Sequence, residues 1–254
     1  MALALDASAP TTVQGTTQAL TTASFTPPAG AVLVLLFGAN DTTVDASLST
    51  VTNTGTAATW TRRVRKSKNA ASDGGAGTDG AADIWTATAP GGAITVTATS
   101  ASATTGSGHE KMMKLMVVTG ADTSALTNVA AASSTTGLAS VTVTSCIVGS
   151  YVFAIDSDWA ETGNPTLGTN QTLVAGWDVS TQITITAWRT TTTLASAGSQ
   201  TMNTTAPTGQ NWNIVALEVR DASGAPVPNE GSKYADATDE LWGYSGLFYT
   251  DGTF

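Results

Sequence analysis

Ile94-Thr95-Val96-Thr97-Ala98-Thr99, Val141-Thr142-Val143-Thr144 and Ile183-Thr184-Ile185-Thr186 share one pattern. An apolar side chain alternates with a short β-branched hydroxyl, which predicts a strand with one greasy face and one polar, uncharged face. Almost a fifth of the 254-residue chain is threonine, standing where lysine and glutamate usually coat a soluble protein. Charged residues make up 11% and apolar residues 41%, ample for a core. A threonine-coated surface can rest against another protein without desolvating charge, so the composition points to a structural part before an enzyme.

Further strand-like runs extend this pattern in both directions, separated by Gly, Asn, Pro, Ser and Asp clusters. They include Val32–Phe37, Thr59–Val64, Asp83–Thr88, Met112–Thr119, Cys146–Ile155, Thr172–Trp177 and Trp212–Val219. No amphipathic helix lies between them, which excludes a parallel α/β sheet and predicts an all-β fold, an antiparallel jelly-roll-like β-sandwich. Met112–Val118 has helical propensity, but Thr119-Gly120 ends it early, so it is assigned as a strand with methionines in the core. No internal repeat is evident. Asp221–Gly231, with Pro226 and Pro228, has linker chemistry. The expected organisation is therefore a sandwich domain over 1–220 and, over 221–254, a linker plus an extended acidic-aromatic C-terminal arm.

A single cysteine, Cys146, allows no internal disulfide and sits in a strand context that buries it as a small hydrophobe. Met1–Ala7 has no basic segment and too short an apolar run for a secretory signal. The longest greasy stretch, Ala29–Ala39, is far below the ~20 residues of a membrane helix. A net charge of -9 argues against nucleic-acid binding. No nucleic-acid or membrane partner is expected.

Catalytic constellations are missing. His109 is the one histidine and is expected in a solvated turn; without companions it predicts neither a zinc site nor a Ser-His-Asp relay. No catalytic residue, resident metal or cofactor is expected. The densest acidic cluster is Asp156, Asp158 and Glu161 around Trp159. Two readings stay open: a polar turn whose carboxylates cap backbone amides, or oxygen ligands for calcium with Trp159 stacking on a glycan. Arg62, Arg63, Arg65, Lys66 and Lys68 supply half of the cationic side chains. Strict alternation would place Arg63 and Arg65 on one face and Arg62, Val64 and Lys66 on the other. Such a strand suits a protected sheet edge or a partner contact. Tyr234, Trp242, Tyr244, Phe248, Tyr249 and Phe254 crowd the last two dozen residues among acids, a pattern that suits anchors in a partner groove and also a tail packed back onto its own sandwich.

Ser24-Phe25-Thr26-Pro27-Pro28-Ala29-Gly30 leading into Val32–Phe37, then Trp60-Thr61-Arg62-Arg63, Ile84-Trp85-Thr86-Ala87, Val117–Asp122 and Trp212–Val219, form an ordered set. Over about Thr11 to Arg220 the chain resembles the Thr/Ala/Gly-rich β-sandwich virion surface proteins of tailed bacteriophages, called capsid decoration or minor tail proteins. The resemblance implies a non-enzymatic, often oligomeric module displayed on a particle assembled in the host cytoplasm, with other virion proteins as partners. The rival expectation is a carbohydrate-binding, host-receptor-binding module that uses Trp159, Trp177 or Trp188 on a cell-surface glycan.

Overall fold

Alternation becomes half-buried strands where one face meets solvent, and continuous burial where a strand lies between two layers. A computed structural model describes residues 2–41, 45–67, 80–159, 163–179, 183–209 and 211–222. All of them lie in one body, Met1–Ser223. The first nine strands are β1 (Ala4–Leu5), β2 (Val13–Gly15), β3 (Ala19–Thr21), β4 (Val32–Ala39), β5 (Leu48–Asn53), β6 (Thr61–Ser67), β7 (Ala81–Thr88), β8 (Val96–Ser100) and β9 (Lys111–Thr119). Eight more follow: β10 (Val129–Ser134), β11 (Ser140–Cys146), β12 (Tyr151–Asp158), β13 (Thr166–Leu167), β14 (Gln171–Val179), β15 (Ile183–Thr190), β16 (Gly198–Ala206) and β17 (Trp212–Val219).

The strands build four stacked layers. The first outer sheet is β3-β8-β5, and the first inner sheet is β1-β9-β4-β7-β6 with β2 also on β9. The second inner sheet is β10-β17-β12-β15-β14, and the second outer sheet is β11-β16-β13. Three apolar cores separate them. Leu33, Leu35 and Phe37 of β4 meet Leu20, Val96 and Ala98 of the first outer sheet. Val34 and Leu36 of the same strand meet Ile155, Ile185 and Leu217 of the second inner sheet. Val152, Ala154 and Trp188 meet Val141, Val143 and Met202 of the second outer sheet. A central strand thus has no solvent side, and all eight residues of β4 are buried. Thr184 and Thr186 are buried for the same reason, so the hydroxyl face of Ile183–Thr186 is an interlayer surface and not an exterior.

An internal repeat, which the sequence does not display, is plain in the pairing. With strands counted from β2 in one half and β10 in the other, each inner sheet runs 1-8-3-6-5 and each outer sheet 2-7-4. The pairs 1–8, 2–7 and 3–6 nest inside one another, as when a long hairpin is rolled up. Detail repeats as well. Trp85 lies opposite Leu35 and Trp188 opposite Ala154, the equivalent pair. The register shift between Arg62 and Val64 recurs between Leu173 and Ala175. Gly30 and Gly149, at φ 80° and 83°, precede β4 and β12 at the same spacing. Across the central layer β4 touches β12 and β15 while β12 touches β7, and β6 touches β17 while β14 touches β9. Such reciprocal contacts describe a pseudo-twofold, the arrangement of an isologous dimer within one chain. The single sandwich expected from the sequence is therefore two eight-stranded sandwiches packed inner sheet to inner sheet.

Candidate functional site

The basic strand β6 is an edge strand, last in the first inner sheet. Its bulge makes Arg63 the extra residue, so the expected two-faced alternation fails at that point. Arg62 and Arg65 fall on one side, toward the outer sheet. The Arg62 Nε lies 3.1 Å from Asp83 Oδ1, its Nη2 donates to the Leu48 carbonyl, and the guanidinium sits 4.9 Å over the Trp85 ring. Arg65 Nη1 lies 3.4 Å from Asp45 Oδ2 and 3.2 Å from Ser47 Oγ. Arg63 Nε instead donates to Thr86 Oγ1 at 2.6 Å. Lys66 is engaged too. β6 is thus a sheet edge, as one of the two readings expects. Arg62, Arg63, Arg65 and Lys66 are half-buried, and Arg62 and Arg65 link the inner sheet to residues around the start of β5 in the outer one.

Asp83 is what Arg62 serves. It is fully buried and accepts the Leu48 amide at 2.8 Å. Burial pushes its carboxyl up to about 7, against the opposing pull of Arg62 and that amide. An unfolded aspartate titrates near 4. The stability associated with neutral Asp83 is therefore full below about pH 4 and is lost as pH rises toward 7. Arg62→Met should cost about 1–2 kcal/mol in urea melts at pH 8, because a buried carboxylate loses a half-exposed countercharge, and less at pH 4.

The acidic cluster begins on a strand. β12 continues through Asp158, so Asp156 and Asp158 are not in a turn: each is 1% exposed on the face toward the second outer sheet. Asp158 Oδ1 does accept a backbone amide, that of Asn211 at 3.0 Å, as the capping reading expects. Burial, and then the neighbouring Asp158, raise the Asp156 carboxyl well above the usual range. Trp159 is half-buried at the strand end, and Glu161 lies outside the described residues. Trp188, expected as a sugar platform, is fully buried and donates its Nε1 to Gln171 Oε1 at 2.6 Å. Trp177 is half-buried against the central core.

His109 is not simply solvated. Its Nδ1 lies 3.2 Å from Asp41 Oδ2, which also accepts Ser102 Oγ and Thr104 Oγ1 at 2.6 Å each. This polar knot, missed in the sequence because its members are some 60 residues apart, ties the β8–β9 connection to the end of β4. Among the described residues no group of three or more His, Cys, Asp or Glu could hold a metal ion. Cys146 is buried, and burial together with Glu218 pushes its thiol up to about 11, which keeps it unreactive. A cavity of about 320 Å³ beside the β15–β16 connection is lined by Asn170, Thr190, Thr192, Leu194, Ser196 and Gln200 among others, none charged. The aromatic residues Tyr234, Trp242, Tyr244, Phe248, Tyr249 and Phe254 lie outside the described residues.

The outer sheets share a surface of one kind. None of their six strands carries Asp, Glu, Lys or Arg. Thr21 pairs its hydroxyl with Thr97 at 2.9 Å, and Thr142 pairs with Thr201 at 2.9 Å. These two pairs occupy equivalent positions in the two halves, each beside a buried apolar pair, Leu20–Ala98 and Val141–Met202. No family model, curated protein or solved structure matches the chain.

Proposed function

We propose that this chain is a non-enzymatic structural protein of a phage virion, displayed on the capsid or tail surface as a decoration or minor tail protein. The observation that carries this reading is the pair of charge-free, threonine-covered outer faces on opposite sides of the stack. On a chain of net charge -9, most surfaces repel a second copy or another acidic partner. Covering a hydroxyl costs about 0.5–2 kcal/mol, against several for an ion, so these faces are the cheapest to bring into contact. Pseudo-twofold duplication presents two equivalent faces, so one subunit can contact a neighbour on either side. The nested strand order supports the jelly-roll reading, with the fifth strand on the inner sheet. We assign the C-terminal aromatics as anchors and the outer faces as the lateral contacts between subunits, in a homo-oligomer.

The glycan-binding alternative loses Trp188 as a platform and retains half-buried Trp159 and Trp177 and the uncharged cavity near Thr190.

The test is incorporation into particles. Purified full-length protein is added to particles lacking it, and association is read by co-sedimentation. The double variant Thr21→Lys, Thr142→Lys should keep its unfolding free energy within about 0.5 kcal/mol, since both residues are exposed. It should lose most of its co-sedimentation, and deletion of 232–254 should abolish it. Undiminished incorporation of the lysine variant would remove the outer faces from the account. Glycan-array binding without incorporation would favour the alternative.

A further inference from the structure

The second half carries acids where the first carries hydrocarbon. Through the equivalence of β4 and β12, Asp156 takes the place of Phe37 and Asp158 that of Ala39. Both acids are 1% exposed and lie two residues apart on one strand face. The first half gives its buried Asp83 a guanidinium at 3.1 Å. The position equivalent to Arg62 is Leu173, which leaves Asp156 without that countercharge.

Several polar atoms here have no hydrogen-bond partner. Among them are Asp156 Oδ1, the hydroxyl of Thr186, which is 1% exposed, and the Nε1 of Trp212, opposite Asp158. Thr186 is the residue directly opposite Asp156 on β15, and directly opposed residues place their side chains on the same face, about 5 Å apart at Cβ. Buried polar groups left unsatisfied at facing positions call for an explanation, and a bound ion is one that fits two acids and a hydroxyl.

We infer that Asp156, Asp158 and Thr186 form a binding site for a hard divalent cation of calcium's size, held between the second inner and second outer sheets. Two carboxylates balance a double positive charge, and the assembled donors are all oxygen, the preference of calcium and magnesium. Residues two apart on a strand are about 6.7 Å apart, close enough for both carboxylates to reach one ion at about 2.4 Å. Magnesium holds its waters and demands near-octahedral geometry, so a dry, strand-built site favours calcium. The ion would do in the second half what Arg62 does in the first, neutralising buried acid between layers. The site is independent of the virion reading and stands or falls separately.

The experiment uses chelator-treated full-length protein titrated with terbium, with Trp212, opposite Asp158, as the sensitising chromophore. Saturable sensitised luminescence is expected, displaced by calcium, together with a rise in Tm of several degrees in calcium chloride. Asp156→Asn should lose both responses, and Thr186→Val should weaken binding about tenfold or more. The control variant Asp122→Asn, at a carboxylate outside the site, should respond like the parent. Absence of saturable luminescence and of any Tm change in the parent overturns the proposal. So does an undiminished response in Asp156→Asn or, if that variant fails to fold, undiminished affinity in Thr186→Val.

Discussion

Gly80→Ala is expected to lose roughly 3–5 kcal/mol of folding stability, a large share of the roughly 5–15 kcal/mol typical of a folded domain. Gly80 precedes β7 at φ +82°, where a side chain costs about 1–2 kcal/mol through its Cβ alone. That Cβ would also stand 2.6 Å from the Ala39 carbonyl oxygen and 2.5 Å from Ser157 Oγ. Neither neighbour can yield cheaply. Ser157 Oγ donates to that same carbonyl at 3.0 Å, joining the two inner sheets. Gly38 tells the same story nearby, since a Cβ there would lie 2.3 Å from Ile185 Cγ2 of the opposite sheet. Overpacking at such a pinch adds about 1–3 kcal/mol to the backbone strain. Gly92 provides the control: at φ +76° an added Cβ would meet nothing within 4 Å, so Gly92→Ala should cost only the backbone part. Urea denaturation of the two variants side by side measures the difference. Equal costs would show that the close approach of the inner sheets carries no energetic weight.

The pinch illustrates which parts of the architecture the sequence makes legible. Strands are legible because side-chain alternation and apolar runs are local properties: Val32–Phe37 extends only to Ala39, and Met112–Thr119 is a strand with its methionines in the core. Layering is not legible. A strand buried on both faces loses its alternation, so β4 and β17 show hydrophobicity without revealing what covers each side. The repeat escapes notice because few positions keep their residue between halves, Trp85 with Trp188, Gly30 with Gly149 and Thr21 with Thr142 among them. Everything else preserves burial and register rather than identity. The acids suffered most from local reading. Asp156-Ser157-Asp158 resembles a turn because polar residues follow an apolar run, and only the pairing with Thr186 and Ile214 shows that the strand continues. Arg63 is a second case, since one bulged residue inverts the faces predicted for its neighbours. The outer hydroxyl faces, by contrast, follow directly from Ile94–Thr99 and Val141–Thr144.

Asp156→Leu should raise stability by about 1–3 kcal/mol at pH 8 in calcium-free buffer and have little effect at pH 4. The sign follows from linkage. Burial, reinforced by Asp158, raises the folded-state pKa of Asp156. Below about pH 4 the carboxyl is protonated in both folded and unfolded chains, so it contributes no difference. As pH rises, the unfolded chain ionises freely while the folded one resists, and the parent protein loses stability until the folded group also ionises. Leucine removes the titrating group and restores the hydrocarbon that Phe37 supplies in the equivalent place, next to Ala154 and Ile214 in the same core. Urea melts at the two pH values therefore separate a buried acid from a mere packing change, because a packing effect would be the same at both. Calcium then makes the comparison decisive for the half-to-half difference. If an ion replaces the guanidinium that the second half lacks, added calcium stabilises the parent at pH 8 and leaves Asp156→Leu untouched, reversing their order. A variant more stable than the parent at pH 8 with and without calcium would mean that the second half carries its buried acid neutral and uncompensated.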